Sequence, residues 1–83
     1  MSKSNKKILL RAIEQFRVCG YCGEEVSYEI YGPNYATIDH IIPKSKGGSE
    51  ALENKTLSCL GCNRGKGNRI VQPEFNLAKL RVV

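Results

Sequence analysis

Four cysteines in this 83-residue chain fall in two Cys-x-x-Cys pairs, Cys19/Cys22 and Cys59/Cys62. One metal ion held by both pairs would close the intervening chain into a loop, and that constraint outweighs any local propensity. Tetrahedral zinc takes four thiolates, and a Cys-x-x-Cys turn presents two of them to a single ion. A chain this short buries too little apolar surface to be comfortably stable by packing alone, so a staple is needed. The competing arrangement, two disulfides, belongs to secreted proteins. The chain opens instead Met-Ser-Lys-Ser-Asn-Lys-Lys, with no apolar run that could serve as a signal peptide. A reducing cytosol and a structural Zn2+ are therefore expected. No stretch is long and apolar enough to span a membrane, so no membrane partner is expected. A redox role would expect one Cys-x-x-Cys beside a thioredoxin-like βαβ pattern, and this chain has two pairs and no such pattern.

Leu9, Ala12, Ile13 and Phe16 fall at helical spacing, which predicts an N-terminal helix capped by Ser4 or Asn5. Cys19-Gly20-Tyr21-Cys22-Gly23 then breaks it with a tight knuckle. Val26 to Tyr31 and Tyr35 to Ile42 are rich in β-branched and aromatic residues around Gly32-Pro33-Asn34, the pattern of two short strands about a turn. Pro43 to Asn54 has the composition of a surface loop. Thr56 to Ser58 is expected to return as a short strand. Cys59 to about Lys66 should form a short helix held by zinc ligation, since Gly61, Gly65 and Gly67 are poor helix formers. Pro73 is placed to open a last helix carrying Phe75, Leu77, Ala78 and Leu80, with a strand over Leu80 to Val83 as the alternative. The whole reads as a single α+β domain over residues 1–83, free of repeats and internal linkers.

Thirteen Lys and Arg against eight Asp and Glu leave a formal net charge of +5, which favours a polyanionic partner, nucleic acid first. Basic residues gather at the amino end (Lys3, Lys6, Lys7, Arg11, Arg17), after the sole histidine (Lys44, Lys46) and around the second knuckle (Arg64, Lys66, Arg69). The bland reading of each is a solvated charge. Asp39, Glu50 and Glu53 would repel a polyanion unless a metal or nearby lysines offset them.

Taken singly, Asp39-His40, Asn54 and Asn63 are ordinary, since Asn and Asp are common turn formers and caps. In combination they are not. Asp39-His40-Ile41-Ile42-Pro43, then Gly47-Gly48, then Glu53-Asn54, then Cys59-x-x-Cys62-Asn63-x-x-Lys66 resembles the HNH nuclease family, also called His-Me finger or ββα-metal nucleases. More narrowly it is similar to the cysteine-bearing members with asparagine at the third motif position. The resemblance runs from Cys19 to about Gly67, in the family's order and approximate spacing. It implies a small ββα-metal domain with flanking helices, and a metal-dependent endonuclease that hydrolyses phosphodiester bonds in DNA, with RNA left open.

The resemblance implies His40 as the general base and Asp39 and Asn63 as ligands of a second, catalytic divalent ion, Mg2+, Mn2+ or another. Both roles suit the chemistry: water must lose a proton, a neutral imidazole near pH 7 can take it, and a hard cation takes oxygen ligands. Asn54 would brace the loop and help hold the histidine. Lys44, Lys46, Arg64, Lys66 and Arg69 would contact phosphates. The zinc would be structural and remote from substrate. On a regular strand Asp39 and His40 point to opposite faces, so the strand is expected to end or bulge there and let Asp39, His40 and Asn63 converge on one small cleft. Met1 and the small size fit a free-standing protein, which in the family often means phage or bacterial DNA processing, and so the cytoplasm of a bacterium or phage-infected host, with a homodimer or larger complex left open. The rival reading is a non-catalytic, zinc-stapled nucleic-acid-binding or adaptor module.

Overall fold

In the computed structural model, which describes residues 3–81, the first element is the helix α1, Lys3–Phe16. It starts ahead of Ser4 and Asn5, so neither residue occupies the expected cap position. Its apolar stripe turns inward: Leu9 and Ala12 are buried, with Ile8, Ile13 and Phe16 packed around them. Arg17 stops the helix by taking a left-handed conformation, φ 66°.

The chain then enters the first knuckle, a tight hairpin in which Cys19 N–H donates to Glu24 O and Gly23 N–H to Cys19 O. Gly20 must be glycine, because a Cβ there would stand 2.5 Å from Thr56 Oγ1. Two strands follow, β1 (Ala36–His40) and β2 (Lys55–Cys59), paired antiparallel in unbroken register from Ala36↔Cys59 to His40↔Lys55. The helix α2 (Leu60–Lys66) begins at once after β2.

Side chains alternate along a strand, so the sheet has two distinct faces. On one, Ala36 and Leu57 pack with Leu9, Ala12 and Leu77 into the core, while Phe16 stacks on Phe75 with ring centroids 4.3 Å apart. On the other, Thr37 and Asp39 lie opposite Ser58 and Thr56. This second face is polar yet covered, because the knuckle and α2 close over it. Every residue of β2 is consequently buried.

Two expectations need correcting. Val26 to Tyr31 is not a strand; it makes one isolated bridge, Ser27↔Tyr35, just after the Val18↔Glu25 bridge that closes the knuckle. Its aromatic content stacks on itself instead, with Tyr28 and Tyr31 both against Tyr35, and leaves Ile30 and Tyr31 exposed. The second strand is likewise shorter than the expected Tyr35 to Ile42. At the C-terminal end, the last helix shrinks to one 3-10 turn, Leu77–Lys79. The rest of that segment runs irregularly beneath β2, where Glu74 N–H donates to Gly20 O and Thr56 Oγ1 to Phe75 O. Leu80 is not in a strand, and Val82 and Val83 lie outside the described residues.

Candidate metal centre and active site

The two knuckles meet. The Sγ atoms of Cys19, Cys22, Cys59 and Cys62 all lie within 4.8 Å of one another, and Cys22 and Cys59 are 3.8 Å apart. A tetrahedron built on Zn–S bonds of ~2.3 Å has an edge of about 3.8 Å, so the cluster has the size a zinc ion requires. Backbone donors prepare the thiolates: Tyr21 N–H reaches Cys19 Sγ and Cys62 N–H reaches Cys59 Sγ, each at 3.3 Å. Burial opposes the Cys19 thiolate, but N–H donors from Cys22, Cys59 and Tyr21 overcome it and lower the thiol to about 7. Burial pushes Cys59 and Cys62 up, so these thiols need a cation to release their protons. The donor set fits a closed structural zinc.

Asp39 lies on the covered face of the sheet. Its Oδ2 accepts from the Tyr21 hydroxyl and pairs with Lys66 Nζ at 3.2 Å, both partners of that ion pair being under one-tenth exposed. Burial, then the Asp39 carboxylate, holds the Tyr21 phenol protonated far above its ordinary range. Tyr21 stands between Cys19 and Cys22, so the zinc knuckle is not remote from the candidate site. It touches it through one residue, and the signal was a bulky aromatic in a glycine-rich knuckle.

Asn63 and Lys66 lie one turn apart on α2. Asn63 Nδ2 donates to Thr37 Oγ1 at 3.0 Å, and Thr37 precedes Asp39 by two residues on the same face of β1. Among the described residues neither Asp39 Oδ1 nor Asn63 Oδ1 has a protein hydrogen-bond partner. A carboxylate oxygen and an amide oxygen left as acceptors are the donor chemistry a hard divalent cation takes.

His40 is the last residue of β1, so the strand ends where expected and without a bulge. Its side chain leaves on the opposite side from Asp39 and meets Glu50, with Nε2 and Oε1 2.9 Å apart. The structure thus brings Asp39 onto the face that carries Asn63, while His40 flanks the same strand end from the other side. Glu50 also takes Lys44 at 2.6 Å and Lys55 at 3.1 Å. Hydrogen bonds from Lys44, Lys55 and His40 lower its carboxyl to about 2, so it is ionised at neutral pH. Glu50 and Lys55 carried no sequence signal as site residues, since their meeting with His40 depends on strand register.

Asn54 ties the loop to the strand end. Its Oδ1 accepts from Ile42 N–H at 2.9 Å, and its Nδ2 donates to Ile42 O at 3.0 Å and Ser49 O at 2.9 Å. Of the expected phosphate contacts, Lys44, Lys46, Arg64 and Arg69 are exposed. Arg69 also closes the end of α2 through the carbonyls of Gly65 and Lys66. Lys66 departs from the expectation: it is buried, and its ammonium is committed to Asp39 and to His40 O at 3.0 Å.

Two antiparallel strands feeding a short helix, closed by a four-cysteine metal site and carrying Asp39-His40 at a strand end, define a ββα-metal domain. The family model for HNH endonuclease matches residues 19–69, and the chain belongs to that family. Neither the curated proteins nor the solved structures give a match. Among the described residues no helix is long and apolar enough to cross a membrane.

Proposed function

We propose that the chain is a metal-dependent endonuclease that hydrolyses phosphodiester bonds in DNA. The observation that carries this reading is the pair of acceptor oxygens, Asp39 Oδ1 and Asn63 Oδ1, left without protein partners among the described residues, on one face of a strand whose last residue is His40. Asp39 and Asn63 would hold the divalent ion, and Mg2+ and Mn2+ both suit oxygen donors. When bound, such an ion supplies charge neutralisation at the departing 3′ oxygen. His40 takes a proton from the attacking water; the water oxygen bonds to phosphorus, the bond to the 3′ oxygen breaks, and that oxygen takes a proton from solvent water, giving a 3′ hydroxyl and a 5′ phosphate. Asn54 keeps the loop folded against the strand that presents His40. Lys44, Lys46, Arg64 and Arg69 offer the phosphate contacts, and Lys66 acts inside the fold by fixing Asp39.

One observation favours the binding-module reading as a second. Asp39 is already neutralised by Lys66 and hydrogen-bonded by Tyr21, as a purely structural buried carboxylate would be. Plasmid cleavage by the zinc-loaded protein with Mg2+ or Mn2+, beside EDTA and His40→Ala controls, separates the two. Metal-dependent nicking that disappears in His40→Ala supports the nuclease. DNA bound but uncut under every divalent metal gives the lead to the binding module.

A further inference from the structure

We propose that Glu50 is a positioning residue for His40: its carboxylate accepts the Nε2 proton, fixes the imidazole as the Nε2–H tautomer, and leaves Nδ1 as the atom that takes the proton from water. The use of Nδ1 rests on the nuclease reading above; the tautomer does not.

The assignment follows from the donor inventory around one carboxylate. An ionised carboxylate only accepts, and an ammonium only donates. Lys44 Nζ and His40 Nε2 both lie on Glu50 Oε1, at 2.6 and 2.9 Å, and Lys55 Nζ lies on Oε2 at 3.1 Å. Neither lysine can supply an acceptor, and Glu50 has no proton of its own to give. Nε2 must therefore carry the hydrogen of its contact, in the charged ring and in the neutral ring alike. In the neutral ring Nδ1 is then the acceptor nitrogen.

The carboxylate is placed by the fold rather than by a flexible surface encounter. Lys55 is directly opposite His40 in the ladder, and its side chain is only 7% exposed, so its ammonium is a fixed post on the same side of the sheet as the imidazole. The loop bearing Glu50 is pinned to the end of β1 by Asn54, which bonds both Ile42 and Ser49. At Gly48 the loop passes so near the strand end that a Cβ would lie 1.7 Å from Ile42 O. Glu50 is exposed, yet three partners on three segments converge on its two oxygens.

His40 is the only histidine, so imidazole nitrogen resonances of the 15N-labelled zinc protein report it alone. In the deprotonated ring the expected spectrum shows hydrogen on Nε2 and a bare Nδ1. Removing Glu50 alone would strand buried Lys55, so Glu50→Ala is made in a Lys55→Met background and compared with Lys55→Met itself. The expected result is a shift from one tautomer to a mixture. In single-turnover plasmid nicking the expected loss lies between about tenfold and the ~10²–10⁴ that general-base catalysis supplies. Hydrogen on Nδ1 in the wild-type protein overturns the proposal. So does a double variant with unchanged tautomer and undiminished cleavage. If no protein cuts DNA while the tautomer is Nε2–H and is lost with Glu50, the Glu50–His40 pairing stands and the nuclease reading fails.

Discussion

Replacing Asn54 with alanine removes three side-chain hydrogen bonds at once, all to backbone groups: Ile42 N–H, Ile42 O and Ser49 O. Each contributes about 1 kcal/mol net, so the expected loss is roughly 3 kcal/mol, within about 1.5–4.5. Asn54 is itself buried, and the groups it leaves behind keep that figure from falling toward zero unless water replaces it. In a domain of this size about 1 kcal/mol moves the melting temperature by ~4–8 °C, which places the zinc-saturated variant roughly 12–24 °C below the parent. The assay is thermal unfolding followed by circular dichroism in excess zinc, with a urea titration to give the free energy directly. Glu53→Ala, one residue away and exposed, is the control and should stay within about 0.5 kcal/mol of the parent. An Asn54→Ala protein within about 1 kcal/mol of the parent would refute the clamp, and with it the account of how the Glu50 loop is held against β1.

Chelating the zinc, or Cys59→Ser, should unfold the chain, because metal binding supplies much of the folding free energy of so small a domain; metal analysis should find one zinc per chain, and melting unaffected by chelator would contradict the site. Asp39→Ala should cost about 3–5 kcal/mol by leaving the buried Lys66 ammonium without its carboxylate. Urea titration should show most of that loss restored by adding Lys66→Met, and a single variant as stable as the parent would defeat the argument. Tyr21 is held protonated by burial and by Asp39, so the unfolded chain gives up this proton first. The stability it contributes is present below its ordinary value of 10.0 and is lost as pH rises past it. Melting temperature should then fall less steeply above about pH 10 in Tyr21→Phe than in the parent, and equal slopes would remove Tyr21 from the linkage.

What the residues made legible divides by range. The knuckles, α1 and the β2–α2 junction could be read locally, because ligand spacing and a 3.6-residue apolar period each act within a short window. The motif from Asp39 to Asn63 was legible as a pattern of residue types. Four features were not. Val26 to Tyr31 has strand-like residues, but the knuckle fixes where this segment begins and its tyrosines stack on Tyr35 rather than entering a ladder. Phe75, Leu77 and Leu80 are apolar because they line the underside of β2, which an irregular chain with one 3-10 turn can do as well as a helix. Lys66 reads as a surface cation by composition and is buried because it answers Asp39 across two elements. Glu50 likewise gains its meaning only from the register that sets Lys55 opposite His40.

On the nuclease reading, the place of Tyr21, with its hydroxyl on Asp39 and a candidate zinc ligand on either side of it, makes assembly a precondition of chemistry. A newly synthesised copy that has not acquired zinc is then expected to lack the closed knuckle that steadies Tyr21, and with it a partner that orients the Asp39 carboxylate. On the nuclease reading, half-made copies are then harmless to the DNA of the cell that makes them, and the supply of one metal decides when the other can be used.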